Sequence, residues 1–238
     1  MKTTLLLLAL LTPALGFGGF PVPTNRDKDV YMRVGGLEIS KEGHNNILKH
    51  EVGGGSRYYN RYLIHPAYVS QQSGITIGVG YDLRYKSKDQ IAADFHMLHP
   101  SVIKRLQAVA GKRGTRSMAR GMRSISIPYD VALEVFNKSS IPRFANLVRK
   151  AYPGIETMHP HIQSAFLSNG FNRGTAISKT KSRDKEKREA RDAIPNSPGL
   201  LAFILRASKR LWVGKGLDGI LSHREDEALL CDMATGVR

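Results

Sequence analysis

The spacing of apolar positions changes period along this chain, and the change marks out two kinds of structure. In "GITIGVGYDL", Gly74 to Leu83, the residues Ile75, Ile77 and Val79 alternate with Thr76, Gly78 and Gly80, which is the period of a half-buried strand. Glycines on the open face of such a strand remove side chains and let a ligand approach the backbone. Thr76 is then the one hydroxyl left on that face. Upstream, "NNILKHEV" places Leu48 and Glu51 on one face of a helix over residues 45–52, ended by Gly53, Gly54 and Gly55. Downstream the helical period dominates. It predicts helices over 88–98, 100–110, 115–122, 128–137, 141–151, 161–169, 183–194, 198–211 and 219–233. Pro100, Pro128, Pro142 and Pro198 stand at or near their starts, where a missing N–H costs little. The predicted fold class is α+β, mostly helical, with a small β-hairpin region packed on a helical bundle.

The first residues, "MKTTLLLLALLTPALG", follow a different logic. Lys2, an apolar run from Leu5 to Leu11, Pro13 and the ending Ala14-Leu15-Gly16 form the pattern of a secretory signal peptide over 1–16. The run is too short to span a bilayer, and no other apolar stretch reaches the roughly 18 residues a span needs. Residues 17–42, rich in glycine, proline and mixed charges, read as a linker or pro-segment with at most one short strand around 30–34. Residues 43–238 are expected to form a single domain. The one cysteine, Cys231, has no internal partner, so an exported chain of this kind must be held together by packing instead of disulfides.

Charge adds a preference for partners. The formal net charge is +16, or +15 once Lys2 leaves with the leader, and such a surface attracts polyanions. Anionic cell-wall polymers, acidic membrane surfaces and nucleic acid all qualify on composition. The run "KTKSRDKEKREAR", residues 179–191, has seven basic and three acidic residues. It reads as a solvated, mobile helix with opposite-charge neighbours, the alternative being an anion-binding arm. "HMLH" (His96 to His99) could place two imidazoles on one helical face, but no nearby carboxylate spacing completes a metal site, and "HPH" (His159 to His161) reads as the start of a helix. No cofactor or metal is expected. There is no phosphate loop and no serine in a nucleophile elbow. Asn137-Lys138-Ser139 matches an N-glycosylation acceptor, relevant only to a eukaryotic secretory route.

Three blocks then carry a family resemblance. "HEVGGGSRYY" followed by "SGITIGVGYDL" resembles the signature of the phage-type (T4-like) lysozymes, in which a catalytic glutamate ends the first helix and a "TIGxG" hairpin faces it. "SAFLSNGFNRG", Ser164 to Gly174, is similar to the family's central helix, and "RLWVGKGLDGILSHREDEALL", Arg210 to Leu230, to its closing helix region. The "SGxTIGxGYDL" form looks closest to the longer branch that includes exported and toxin-type relatives. The resemblance covers roughly 45–230. It implies a lysozyme-like fold and a secreted, bacteriolytic muramidase acting on peptidoglycan. It carries Glu51 over as general acid, Thr76 as the group orienting water, and Asn172 and Arg173 as sugar contacts. The partner it implies is bacterial peptidoglycan; the charge adds anionic wall polymers, and no specific nucleic acid, no transmembrane segment and a monomeric state are expected.

Two departures qualify the resemblance. Small phage enzymes carry a second carboxylate between the glutamate and the threonine, yet residues 57–75 contain no Asp or Glu, so the usual carboxylate pair is missing there. Asp82 is the nearest acid, and holding the hairpin turn is its simpler role. The arginine that the family places near the glutamate corresponds to His223, with Arg224 beside it. Either is a candidate partner for Glu51, and His223 would be charged at low pH. A hydrolase, a lytic transglycosylase using one glutamate, and a non-catalytic cationic wall-binding antibacterial protein remain as alternatives. Thr76 in its "TIG" context favours the hydrolase.

Overall fold

The computed structural model describes residues 26–53 and 55–236. The expected signal peptide, residues 1–16, lies outside the described residues. The fold is α+β and mostly helical. A hairpin of β1 (Met32–Val34) and β2 (Leu37–Ile39) opens it, followed by α1 (Lys41–Val52) and α2 (Gly55–Tyr62). A three-stranded antiparallel sheet comes next, β3 (Ala67–Tyr68), β4 (Ile75–Ile77) and β5 (Tyr81–Asp82), with β4 in the middle. Thr76 pairs with Ala67 on one side and Asp82 on the other.

The remainder is helical: α3 (Lys88–Asp94), α4 (Pro100–Gln107), α5 (Arg116–Gly121), α6 (Tyr129–Val135), α7 (Ile141–Ala151), α8 (Pro160–Arg173), α9 (Lys185–Ala193), α10 (Leu201–Ala207) and α11 (Asp218–Thr235). A wide turn of π-helix, Phe136–Ser140, joins α6 to α7. Among the described residues no helix is long and apolar enough to cross a membrane.

The centre of the molecule is α8. Every residue from Pro160 to Gly170 is buried, as a helix enclosed on all sides requires. Its polar members are spent on neighbours. The Gln163 side chain accepts from the Glu38 amide at 2.7 Å and donates to the Met158 carbonyl, while Ser164 Oγ accepts from the Ser40 amide at 3.0 Å. These bonds stitch β2 and the start of α1 to α8. A side chain at Gly43 would collide with Ser164, so α1 reaches α8 at this point only because residue 43 is glycine.

Several expectations need correction. From residue 26 onward the expected linker is part of the fold, since Leu37 and Ile39 are fully buried and their burial repays the ordering of the hairpin. Val79 lies in the turn after β4, not in the strand, and Gly80 stands in that turn with φ +67.

The basic run is not a solvated helix either. Asp184, Glu186 and Lys187 are buried, and Lys187 Nζ donates to the carbonyls of Arg173, Gly174 and Ala176. It caps the C-terminus of α8, where the helix dipole favours a cation. Glu186 pairs with Arg210, and Arg188 bonds the Ser178 and Lys181 carbonyls. In the glycosylation match, Asn137 lies in the π-helical turn and its Oδ1 accepts from His44 Nε2 at 2.9 Å, which ties α1 to that turn.

Candidate active site

Glu51 sits in the last turn of α1 and opens onto a cleft of about 270 Å³. Val79, Gly80, Tyr81, Asp82, Tyr85 and Lys86 form one wall, and Ser140, Arg143, Phe144 and Phe171 the other. Gly80 faces the acid: a methyl group built on it would lie 3.8 Å from Glu51 Oε2. Its positive φ is one that glycine adopts freely, so the same residue makes the turn and leaves the wall bare. Among the described residues no hydrogen bond or ion pair reaches Glu51, and burial pushes its carboxyl above the ordinary glutamate range. Desolvation without compensating donors favours the protonated form.

Around the acid the cleft combines aromatic surface and positive charge. Phe144 and Phe171 stack at 4.1 Å, and Tyr85 is exposed at the rim. Lys86 is buried, with Nζ 4.3 Å from the Tyr81 ring centre and 3.4 Å from Ser139 Oγ. Tyr81 and Ser139 both donate to Asp94 Oδ2, at 2.6 and 2.8 Å. Burial lowers the Lys86 pKa, and nearby Arg143 lowers it further against the pull of Asp94. Lys86 and Arg143 thus bring two positive charges to the cleft lining, Lys86 in reach of Asp94 and Arg143 beside the Phe144 ring.

The residues singled out in the sequence separate into groups. Asp82 lines the cleft as its second carboxylate and also braces the hairpin, because Oδ1 accepts from the Gly74 and Arg84 amides at 2.9 Å each. Thr76, half-buried, lies outside the cleft lining; directly opposite Asp82 in the register, it shares a face of the sheet with it. Asn172 is exposed at the end of α8, next to Phe171. Arg173 turns elsewhere: its Nη2 donates to the Arg183 carbonyl at 2.6 Å and its guanidinium lies 5.3 Å from the Trp212 ring centre. It supports α9 and not the cleft.

His223 and Arg224 do not pair with Glu51. Their partner is Glu227, one turn along the same helix: Arg224 Nη2 lies 2.7 Å and His223 Nε2 3.3 Å from its Oε1, while Asn169 Nδ2 donates to Oε2 at 2.9 Å. Burial pushes the Glu227 carboxyl up, against the pull of Arg224 and Asn169. His223 stacks on His50 at 3.7 Å and meets Ser168 Oγ at 2.7 Å. Burial, together with Arg224 and His50, pushes it down to about 2, so it stays neutral where a charged partner was expected.

Sequence reasoning missed Tyr85, Lys86, Arg143, Phe144 and Phe171. The first two directly follow "GYDL", and the Arg-Phe pair stands in the first turn of a predicted helix; nothing local shows that the two segments face each other. The absence of metal spacing also needs qualification. At the opposite end of α8, potential ligand atoms of Asp29, His159 and His161 come within 4.8 Å of one another.

A family model described as a domain of unknown function (DUF8812) matches residues 45–137, less than half of the chain. The matched stretch runs from α1 through α6 and carries Glu51 and the sheet wall, but not Arg143, Phe144 or Phe171. A search of curated proteins found no match.

Proposed function

We propose that this protein is an exported peptidoglycan hydrolase with a lysozyme-like fold, cleaving the β-1,4 bond between N-acetylmuramic acid and N-acetylglucosamine and so lysing bacterial cells. One observation carries the reading: Glu51 is desolvated, has no hydrogen-bond donor among the described residues, and faces a bare glycine across an open cleft. A glycosidic oxygen leaves as a poor alkoxide unless a proton arrives with it, and a carboxyl whose pKa is raised delivers one near neutrality. Gly80 allows the sugar ring to come close, and Phe144, Phe171 and Tyr85 offer apolar surface for its faces. Lys86 and Arg143 fit the lactyl and peptide carboxylates of the wall polymer, and the net charge fits its anionic surroundings.

The attacking water is assigned to the sheet side of the cleft, where Asp82, with Oδ1 committed to two amides, offers its other oxygen as the stabilising carboxylate, and Thr76, outside the lining but directly opposite Asp82 on the same sheet face, helps to orient it. The protein acts as a monomer without a cofactor.

The test is Glu51→Gln, which removes the proton and barely changes size. Wild type should clear a peptidoglycan suspension and the variant should not. Clearance at the wild-type rate would leave only charge-driven binding as the cause of any killing. Released disaccharides of full mass support hydrolysis; products lighter by one water mean transglycosylation.

A further inference from the structure

The N-terminal end of α8 carries a second constellation, remote from the cleft. His159 caps the helix: its Nδ1 accepts from the His161 amide at 3.2 Å. Its other ring nitrogen, Nε2, is buried and lies 3.1 Å from Asp29 Oδ2; an ion held there requires the ring proton on Nδ1, so binding exchanges the cap bond for a metal bond. Pro160 fixes the backbone between the two histidines. The His161 side chain is 7% exposed, and its Nδ1 is buried with no hydrogen bond among the described residues, 3.9 Å from Glu42 Oε2. The rings lie 4.8 Å apart. Asp29, 40% exposed, leaves a path from solvent.

A His–Asp pair alone needs one imidazole. It gives no reason for a second one to be buried beside it with its nitrogen unsatisfied, and such groups normally find partners. A divalent ion supplies the missing one.

We propose that Asp29, His159 and His161 bind a zinc-class divalent cation, with Glu42 beside it as a compensating charge. Two imidazole nitrogens and a carboxylate oxygen suit zinc better than calcium or magnesium, which prefer all-oxygen shells. Tetrahedral zinc with ligands at about 2.0–2.1 Å holds them about 3.3 Å apart. Asp29 and His159 already stand at that spacing, so His161 has the larger adjustment to make. The three ligands come from two places in the chain, the segment before β1 and the start of the central helix. The ion therefore ties the N-terminal segment to α8, the kind of cross-link that a chain with one cysteine cannot build from disulfides.

Isothermal titration of zinc chloride into chelator-stripped protein tests this without any activity measurement. The expected result is one ion per chain at micromolar affinity or tighter, with a matching rise in Tm. His159→Asn keeps a good helix cap but loses the ligand, and His161→Gln loses the other; each should weaken binding by on the order of 100-fold or more. Glu51→Gln should bind zinc as wild type does, which separates this site from the cleft. No stoichiometric uptake by wild type, or unchanged affinity in folded His159→Asn, overturns the proposal.

Discussion

Two glutamates stand on helices packed against α8, and burial raises the pKa of both. Their surroundings are opposite. Glu227 is fully enclosed and meets Arg224, His223 and Asn169. Glu51 meets an open cleft and a glycine. A buried carboxylate with donors on both oxygens is a structural part, held in one geometry and costly to disturb. A desolvated carboxyl without donors gains nothing for the fold and is suited to giving up a proton. The difference lies in how many donors each was given.

The sharpest way to test this contrast is to remove each glutamate's defining property. Glu51→Gln should reduce peptidoglycan turnover by about 10²- to 10⁴-fold, the usual span for a lost general acid, with far-UV circular dichroism unchanged. Arg224→Met should do the reverse, leaving the cleft residues intact while stranding Glu227 in the interior. Breaking one side of a buried pair costs about 3–5 kcal/mol, and at about 2–4 °C per kcal/mol for a chain of this size the loss is readable in a calorimetric scan.

Gly80→Ala carries a smaller effect. The positive φ costs an alanine about 1–2 kcal/mol, and the added methyl intrudes between Glu51 and substrate, so turnover should fall more than stability. Arg143→Gln should raise KM for intact peptidoglycan a few-fold and leave kcat unchanged, in line with about 0.2–1 kcal/mol for an exposed charge. Carboxylate-amidated peptidoglycan should abolish that difference.

The smallest effect is on stability with pH. Because burial raises the folded-state pKa of Glu51, ionisation penalises the folded state above the ordinary carboxylate range and not below it. Glu51→Gln should therefore raise Tm at neutral pH, with the gain vanishing as pH falls through that range.

How much of this was legible in the sequence follows from the range of the interactions. The helix over 141–151 is observed as α7 with those bounds, because periodicity and Pro142 are local signals. Glu51 stood out for the same reason, as a helix-end acid beside glycines. The partner of Arg224 was three residues away in the chain, yet an Arg/Glu pair at that spacing also describes any surface helix; only the packing of α8 onto α11 shows that it is interior. Lys187 was hidden inside a charge run, since nothing local says that one lysine of the run closes the end of another helix. Phe171 and Lys86 share a cleft although some 85 positions separate them, and no spacing rule reaches that far. "HPH" was visible but incomplete, because its carboxylate is supplied by residue 29.

His50 and Glu51 are neighbours on α1, and one helical step of about 100° sends them to different tasks. His50 is clamped flat against His223, with Asp226 holding its Nε2 at 2.8 Å; Glu51 looks into the cleft. The stack thus fixes the rotational setting of the helix. Rolling α1 about its axis to swing Glu51 across the cleft would have to peel one imidazole from the other, so on the proposed reading the direction of proton delivery is set by a contact outside the cleft lining.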